Sequence, residues 1–153
     1  MIDIKDAAKP KLVSEYKLPQ NEESFCTQDA AHPTTSFAAH NPTLTPNIAF
    51  ITWHSGGLQV VDISDPRKPA KLTEFVADPV IPILQEDPVL SSGGDKVVAW
   101  SYPIIKDGLI YFVDVRNGLY VMRYSGPYES EVSRVKFLEG NSNLGDALKF
   151  EKP

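Results

Sequence analysis

Residues 48–75, IAFITWHSGGLQVVDISDPRKPAKLTEF, read as three strands joined by two tight turns. Residues 48–53 are almost continuously apolar, and Ser55-Gly56-Gly57 then supplies residues that accept positive φ at a turn. Residues 58–63 form a second run rich in β-branched side chains. Asp62-Ile63-Ser64-Asp65-Pro66 closes that run, and neither Pro66 nor Pro69 can donate to a central ladder. Residues 71–75 alternate as an exposed outer strand should.

The same stretch recurs. Residues 1–10 (MIDIKDAAKP) align without gaps on residues 60–69 (VVDISDPRKP), with Asp62 and Pro69 each 59 positions after Asp3 and Pro10. The match continues with Glu15 on Glu74 and Tyr16 on Phe75. A third copy, residues 110–127, is laid over residues 48–66 with Phe112 on Phe50. A one-residue deletion in the turn then brings Gly118-Leu119 onto Gly57-Leu58. There the Asp-Ile-Ser-Asp-Pro turn has decayed to Arg123-Tyr124-Ser125-Gly126-Pro127. Strand-only repeats of this period predict an all-β fold, with antiparallel four-stranded sheets as the blades of a β-propeller. Residues 48–51 and 109–113 are apolar on both faces, which favours sheets stacked between two neighbours over a lone sandwich.

In chain order, residues 1–18 read as the outer strands of a partial blade and residues 37–76 as a complete one, its inner strand at 37–42. Residues 97–139 read as a second complete blade, with strands at 97–103, 109–115, 119–124 and 133–138. Residues 17–36 and 76–96 are connectors, and residues 140–153 form an irregular tail. About two and a half blades fall short of the roughly four to eight of a closed ring, so one incomplete propeller-type domain is expected. The preferred account is a fragment of a larger ring, the other a subunit that self-associates through its open sheet edges.

Composition narrows the function classes. The chain has 153 residues and a net charge of −5, with no basic cluster interleaved with aromatics, which argues against nucleic acid. A single cysteine, Cys26, rules out an internal disulfide framework. No apolar run approaches the roughly 18 to 20 residues of a membrane span, and the first residues lack signal-peptide architecture.

The segments 57–66 and 1–10 resemble the LVIVD-repeat family of β-propellers, whose repeat runs Gly-Leu, a short apolar strand, Asp-(Ile/Val)-Ser-Asp-Pro and a further proline. The third copy departs from that pattern at Arg123 and Gly126. The resemblance implies a mostly bacterial, often secreted protein of the cell envelope or exterior, without an agreed activity. The architecture is also similar to selenium-binding-type propellers, some of which are linked to metal-dependent thiol oxidation.

In a propeller, the loop between the second and third strands shares a face with the connectors. That places His54, Arg116 and Asn117 together, while His40-Asn41 and Ser101-Tyr102 occupy equivalent inner-strand positions, each followed by proline. These seven residues are the candidate ligand-binding set. His32, His40 and His54 are the only histidines, and His40 with His54 is the candidate pair for a divalent metal. Their spacing matches no compact metal signature, so imidazoles satisfied by backbone carbonyls are the plainer account. Asp3, Asp6, Asp62 and Asp65 recur at one turn before proline, which marks them as turn-formers and not a catalytic carboxylate pair. Trp53 and Trp100 fit either channel or ligand-stacking residues or aromatic packing between blades, and packing is the preferred reading. Cys26 lacks a basic neighbour, and no nucleophile elbow or phosphate loop is present, so no catalytic residue is assigned. The expectation is a non-enzymatic binding or scaffold module without a cofactor, presenting its loops to a protein, peptide or glycan. The alternative is a metal-dependent propeller oxidoreductase using His40 and His54.

Overall fold

A computed structural model describes residues 1–26, 36–78, 80, 97–140 and 144–145. Among them, every paired strand is antiparallel and helices are short, so the fold is all-β. A hairpin pairs β1 (Ile2–Asp3) with β2 (Lys11–Leu12). Sheet 1 is a four-stranded meander of β3 (Pro42–Leu44), β4 (Ile48–Thr52), β5 (Leu58–Asp62) and β6 (Ala70–Phe75). Sheet 2 contains β7 (Ile104–Lys106), β8 (Leu109–Asp114) and β9 (Gly118–Met122). It is extended beyond β7 by β10 (Phe137–Glu139) and β11 (Leu144–Gly145), the latter within the stretch expected to be irregular. Two short helices, α1 (Glu23–Cys26) and α2 (Glu129–Ser133), sit in the connections.

Strand register shows how the repeats correspond. Phe50 lies opposite Val60, and Ile51 opposite Gln59. In sheet 2, Tyr111 lies opposite Val121, and Phe112 opposite Tyr120, each residue 61 positions after its counterpart. The pair Thr43 and Phe50 becomes Ile104 and Tyr111 in the same way. The turn therefore contains no deletion, and Tyr111, not Phe112, is the equivalent of Phe50. The correction matters because neighbouring strand residues point to opposite faces, so a one-residue slip exchanges the two faces of a sheet.

The hairpin repeats the pairing of β5 with β6. Ile2 opposite Leu12 and Asp3 opposite Lys11 reproduce Val61 opposite Lys71 and Asp62 opposite Ala70. The turn chemistry repeats with it. Asp3 accepts from Lys5 N at 3.0 Å and Asp6 from Ala8 N at 3.1 Å. In sheet 1, Asp62 accepts from Ser64 N at 2.8 Å and Asp65 from Arg67 N at 3.0 Å. These carboxylates are turn-formers.

The layers then stack in one sense. Ile48, Phe50, Leu58 and Val60 of sheet 1 pack on Ile105, Ile110, Phe112 and Leu138 of sheet 2, and Val132 and Val135 close the end of this core. The opposite face of sheet 1 receives the hairpin: Tyr16 is edge-on to Trp53 with ring centroids 5.7 Å apart, and its hydroxyl donates to Gln59 Oε1 at 3.3 Å. Phe75, the equivalent of Tyr16, meets Tyr120, the equivalent of Gln59, at 5.2 Å and Phe112 at 6.3 Å. Each layer thus presses the same face onto the next.

Three strand assignments differ from expectation. Residues 37–42 and 97–103 were expected as inner strands; the continuous ladders begin at Pro42 and at Ile104, and within 97–103 only Ala99 pairs, in isolated bridges to His54 and Asp114. Proline holds the residue before it extended and offers no N–H, so it stands at the start of a ladder or just ahead of one. Residues 133–138, expected beside β9, divide between α2 and β10, and β10 pairs with β7 on the other edge. The run Glu129-Ser130-Glu131 places two acidic residues in the first turn of α2, which favours helix there. The Glu131 carboxylate also accepts from Thr45 Oγ1 at 2.9 Å and Asn47 N at 3.0 Å, tying α2 to the turn between β3 and β4. His32 and residues 81–96 lie outside the described residues, as does the side chain of Cys26.

Candidate functional site

Residues 97–100 are the hinge of the candidate surface. Ala99 bridges to His54 on one side and to Asp114 on the other. Ala99 N donates to His54 O at 3.0 Å, Val115 N to Val98 O at 2.9 Å, and Trp100 N to Val113 O at 2.9 Å. The turn after β4 and the turn after β8 are therefore held side by side, with Trp100 between them.

His54 adopts φ +41°, a region that non-glycine residues enter rarely and at a cost of about 1–3 kcal/mol. The surrounding bonds hold it there. Gly57 N donates to His54 O at 3.0 Å, Ser55 N to Ser36 O at 2.9 Å, and Ser36 Oγ lies 2.9 Å from His54 Nδ1. The imidazole is stacked on the Trp100 indole, with centroids 5.0 Å apart and planes 9° from parallel. His40, whose N–H donates to Thr52 O at 2.8 Å, sets its ring 4.7 Å from Trp100 and 5.5 Å from His54. The three rings form a triangle, with His40 exposed and Trp100 37% exposed.

Beside His40 opens an apolar pocket of about 350 Å³ between the hairpin and sheet 1. Met1 and Tyr16 form one wall, and Ala49, Ile51, Val61 and Ile63 the other. Gln59, fully buried beneath it, donates to Gly56 O at 2.7 Å and to Glu74 Oε2 at 3.1 Å. That Gln59 bond, with a second from Lys71, holds the Glu74 carboxyl below the usual glutamate value. Burial, then the Glu74 charge, pushes the Tyr16 phenol above its usual value.

The structure sorts the seven candidate residues. His40 and His54 are brought together. Ser101 is committed to the scaffold, its hydroxyl oxygen accepting from Val113 N at 2.7 Å. Asn117 is committed as well: its Nδ2 donates to Asp78 O and to Tyr120 OH, both at 2.8 Å, and its Oδ1 accepts from Val80 N at 3.0 Å. Arg116 is partly buried in the turn that the Asp114 carboxylate caps. Asn41 and Tyr102 are partly buried, each just ahead of its proline. Trp53 keeps its packing role, donating Nε1 to Phe37 O at 2.8 Å and Asn21 Oδ1 at 3.1 Å. Trp100, for which sequence reasoning preferred packing over ligand stacking, stands against both His40 and His54. The available signal was its position directly before Ser101-Tyr102.

Chemically, the cluster offers the His40 ring and the half-open Trp100 indole, backed by a His54 imidazole whose Nδ1 is held by Ser36 Oγ, next to an apolar cavity. Among the described residues, no group of three or more His, Cys, Asp or Glu side chains converges as a metal site. No protein-family model matches this sequence, and a search of curated proteins finds no match either.

Proposed function

We propose that the chain is a non-enzymatic binding module built from stacked blades of the LVIVD propeller type. It would recognise a peptide segment that lays an aromatic or aliphatic side chain into the pocket beside His40 and rests on Trp100. The single observation that carries this reading is the exposed pair of His40 and Trp100 rings, backed by the partly buried His54, beside an apolar pocket. The polar groups around it, Ser101 and Asn117 above all, are already spent on the scaffold, so the surface offers stacking and shape. The one-sense stacking of the hairpin and the two sheets supports the propeller architecture.

A second reading has one observation in its favour: His40 and His54, 14 residues apart in sequence, have ring centroids 5.5 Å apart. Two imidazoles can begin a metal site, and a redox metal held there would supply oxidoreductase chemistry. Further ligands would have to come from outside the described residues.

One pair of experiments separates the readings. A phage-displayed peptide library is panned on the purified chain, and hits are measured against wild type, Trp100→Ala and His40→Ala. Enriched peptides that bind wild type at least about tenfold tighter than Trp100→Ala support the binding module. Failure to enrich, or affinities indifferent to both substitutions, overturns it. Elemental analysis of the same samples is the second arm. Stoichiometric metal in wild type that disappears in His40→Ala moves the assignment to the metal enzyme.

A further inference from the structure

The layers of this molecule present two kinds of face, and one of each lies open at its ends. Phe50, Leu58 and Val60 of sheet 1 form the face that presses forward onto sheet 2. Their equivalents in sheet 2, each 61 positions on, are Tyr111, Leu119 and Val121. Leu119 is 62% exposed, Val121 51%, and the neighbouring Val113 42%. The receiving face of sheet 2 includes Met122 and Tyr124, the latter edge-on to Phe50 at 5.7 Å. The hairpin equivalents of Met122 and Tyr124 are Ile2 and Ile4, which with Leu12 are 62%, 69% and 68% exposed. Among the described residues, a pressing face without a receiver and a receiving face without a presser therefore stand at opposite ends.

We infer that a second copy of this chain seats its hairpin, through Ile2, Ile4 and Leu12, on the Tyr111–Leu119–Val121 face of the first. The contact continues the interface between sheet 1 and sheet 2: Tyr111 meets the partner copy's Ile4 where Phe50 meets Tyr124. Water is excluded from two clusters of branched side chains that are otherwise solvated. The two surfaces differ, so the association is heterologous and runs head to tail, closing into a ring or extending as a stack. It uses sheet faces, in contrast to edge-to-edge strand pairing. It is independent of the peptide-binding reading, because none of its residues belongs to the triangle.

The test is light scattering after size exclusion over a range of protein concentrations. Wild type is compared with Leu119→Glu, which blocks the pressing face, and Ile2→Glu, which blocks the receiving face. Both positions are exposed, so far-ultraviolet circular dichroism should match wild type. Wild type is expected to show concentration-dependent mass, and each variant alone to remain monomeric, with association weakened by about tenfold or more. The two variants mixed are expected to form a one-to-one heterodimer, since each keeps the face the other lacks. A wild type that stays monomeric at every concentration overturns the inference. So does assembly that neither substitution weakens, or a mixture that yields no heterodimer.

Discussion

At the residue scale, Gln59 shows how a polar group can sit at zero exposure between two layers. Its amide nitrogen reaches Gly56 O and Glu74 while its oxygen takes the Tyr16 hydroxyl, so burial leaves it hydrogen-bonded. Two titrating groups around it make stability depend on pH, Glu74 within sheet 1 and Tyr16 where the hairpin docks. Glu74 is held low, so its contribution is present above the ordinary glutamate value of 4.5 and is lost as pH falls through the folded value. Tyr16 is held high, so its contribution is present below the ordinary tyrosine value of 10.0 and is lost as pH rises beyond it. Tyr16→Phe removes the hydroxyl and its bond to Gln59. It is expected to lower stability by about 0.5–1 kcal/mol at neutral pH and to flatten the alkaline arm. Urea midpoints across the pH range check this. Some alkaline slope should remain, because burial raises the Tyr124 phenol as well. A variant whose alkaline slope equals that of wild type would remove Tyr16 from the account.

At the element scale, the turn residues were the most legible part of the sequence and the register the least. Asp3, Asp6, Asp62 and Asp65 act within two residues of themselves, so their role is local and can be read from spacing. The slip that set Phe112 on Phe50 arose because both are phenylalanine, and residue likeness carries no record of which face a side chain takes. Only the pairing of Tyr111 with Val121 restores it. The inner strands were placed too early because apolar residues before Pro42 and Pro103 look like strand, although only the ladder decides. In the site, His54 was legible as a turn histidine and His40 as an inner-strand one, on a shared face. Trp100 was not, since its partners come from two other turns. The repeat equivalence also separates two costs at one turn position. Gly57 (φ +71°) and Gly118 (φ +91°) correspond, yet a Cβ on Gly57 would collide with the Phe75 carbonyl, whereas among the described residues nothing lies within 4 Å of one on Gly118. Gly118→Ala should lose about 1 kcal/mol from backbone strain alone. Gly57→Ala should lose clearly more, because the β5–β6 pairing must shift as well. Thermal midpoints of the two variants decide it, and equal losses would show that the Phe75 carbonyl yields freely.

At the scale of the whole molecule, the core between the sheets is shared, and that makes cooperativity the quantity to measure. Phe50 has no exposed surface, belongs to sheet 1 and touches Tyr124 just past the end of β9, so its burial depends on both sheets being in place. Stacked repeats that meet only their neighbours can unfold in parts when the interface between them is weak, and as one unit when it is strong. Here the interface includes Ile48, Phe50, Leu58 and Val60 against Ile105, Ile110 and Phe112, reinforced by the Glu131 clasp on Thr45 and Asn47. Coupled unfolding is therefore the expected behaviour. Two tryptophans report on different parts: Trp53 on the hairpin side of sheet 1, and Trp100 on the segment bridging the turns of both sheets. In Trp100→Phe and Trp53→Phe, which leave one reporter each, the urea transitions are expected to superimpose. Phe50→Ala, added to either, should shift both curves equally, with a loss of about 3–5 kcal/mol. A Trp53 curve that moves while the Trp100 curve stays would mean that the sheets unfold separately. The stacking would then be contact without mutual support.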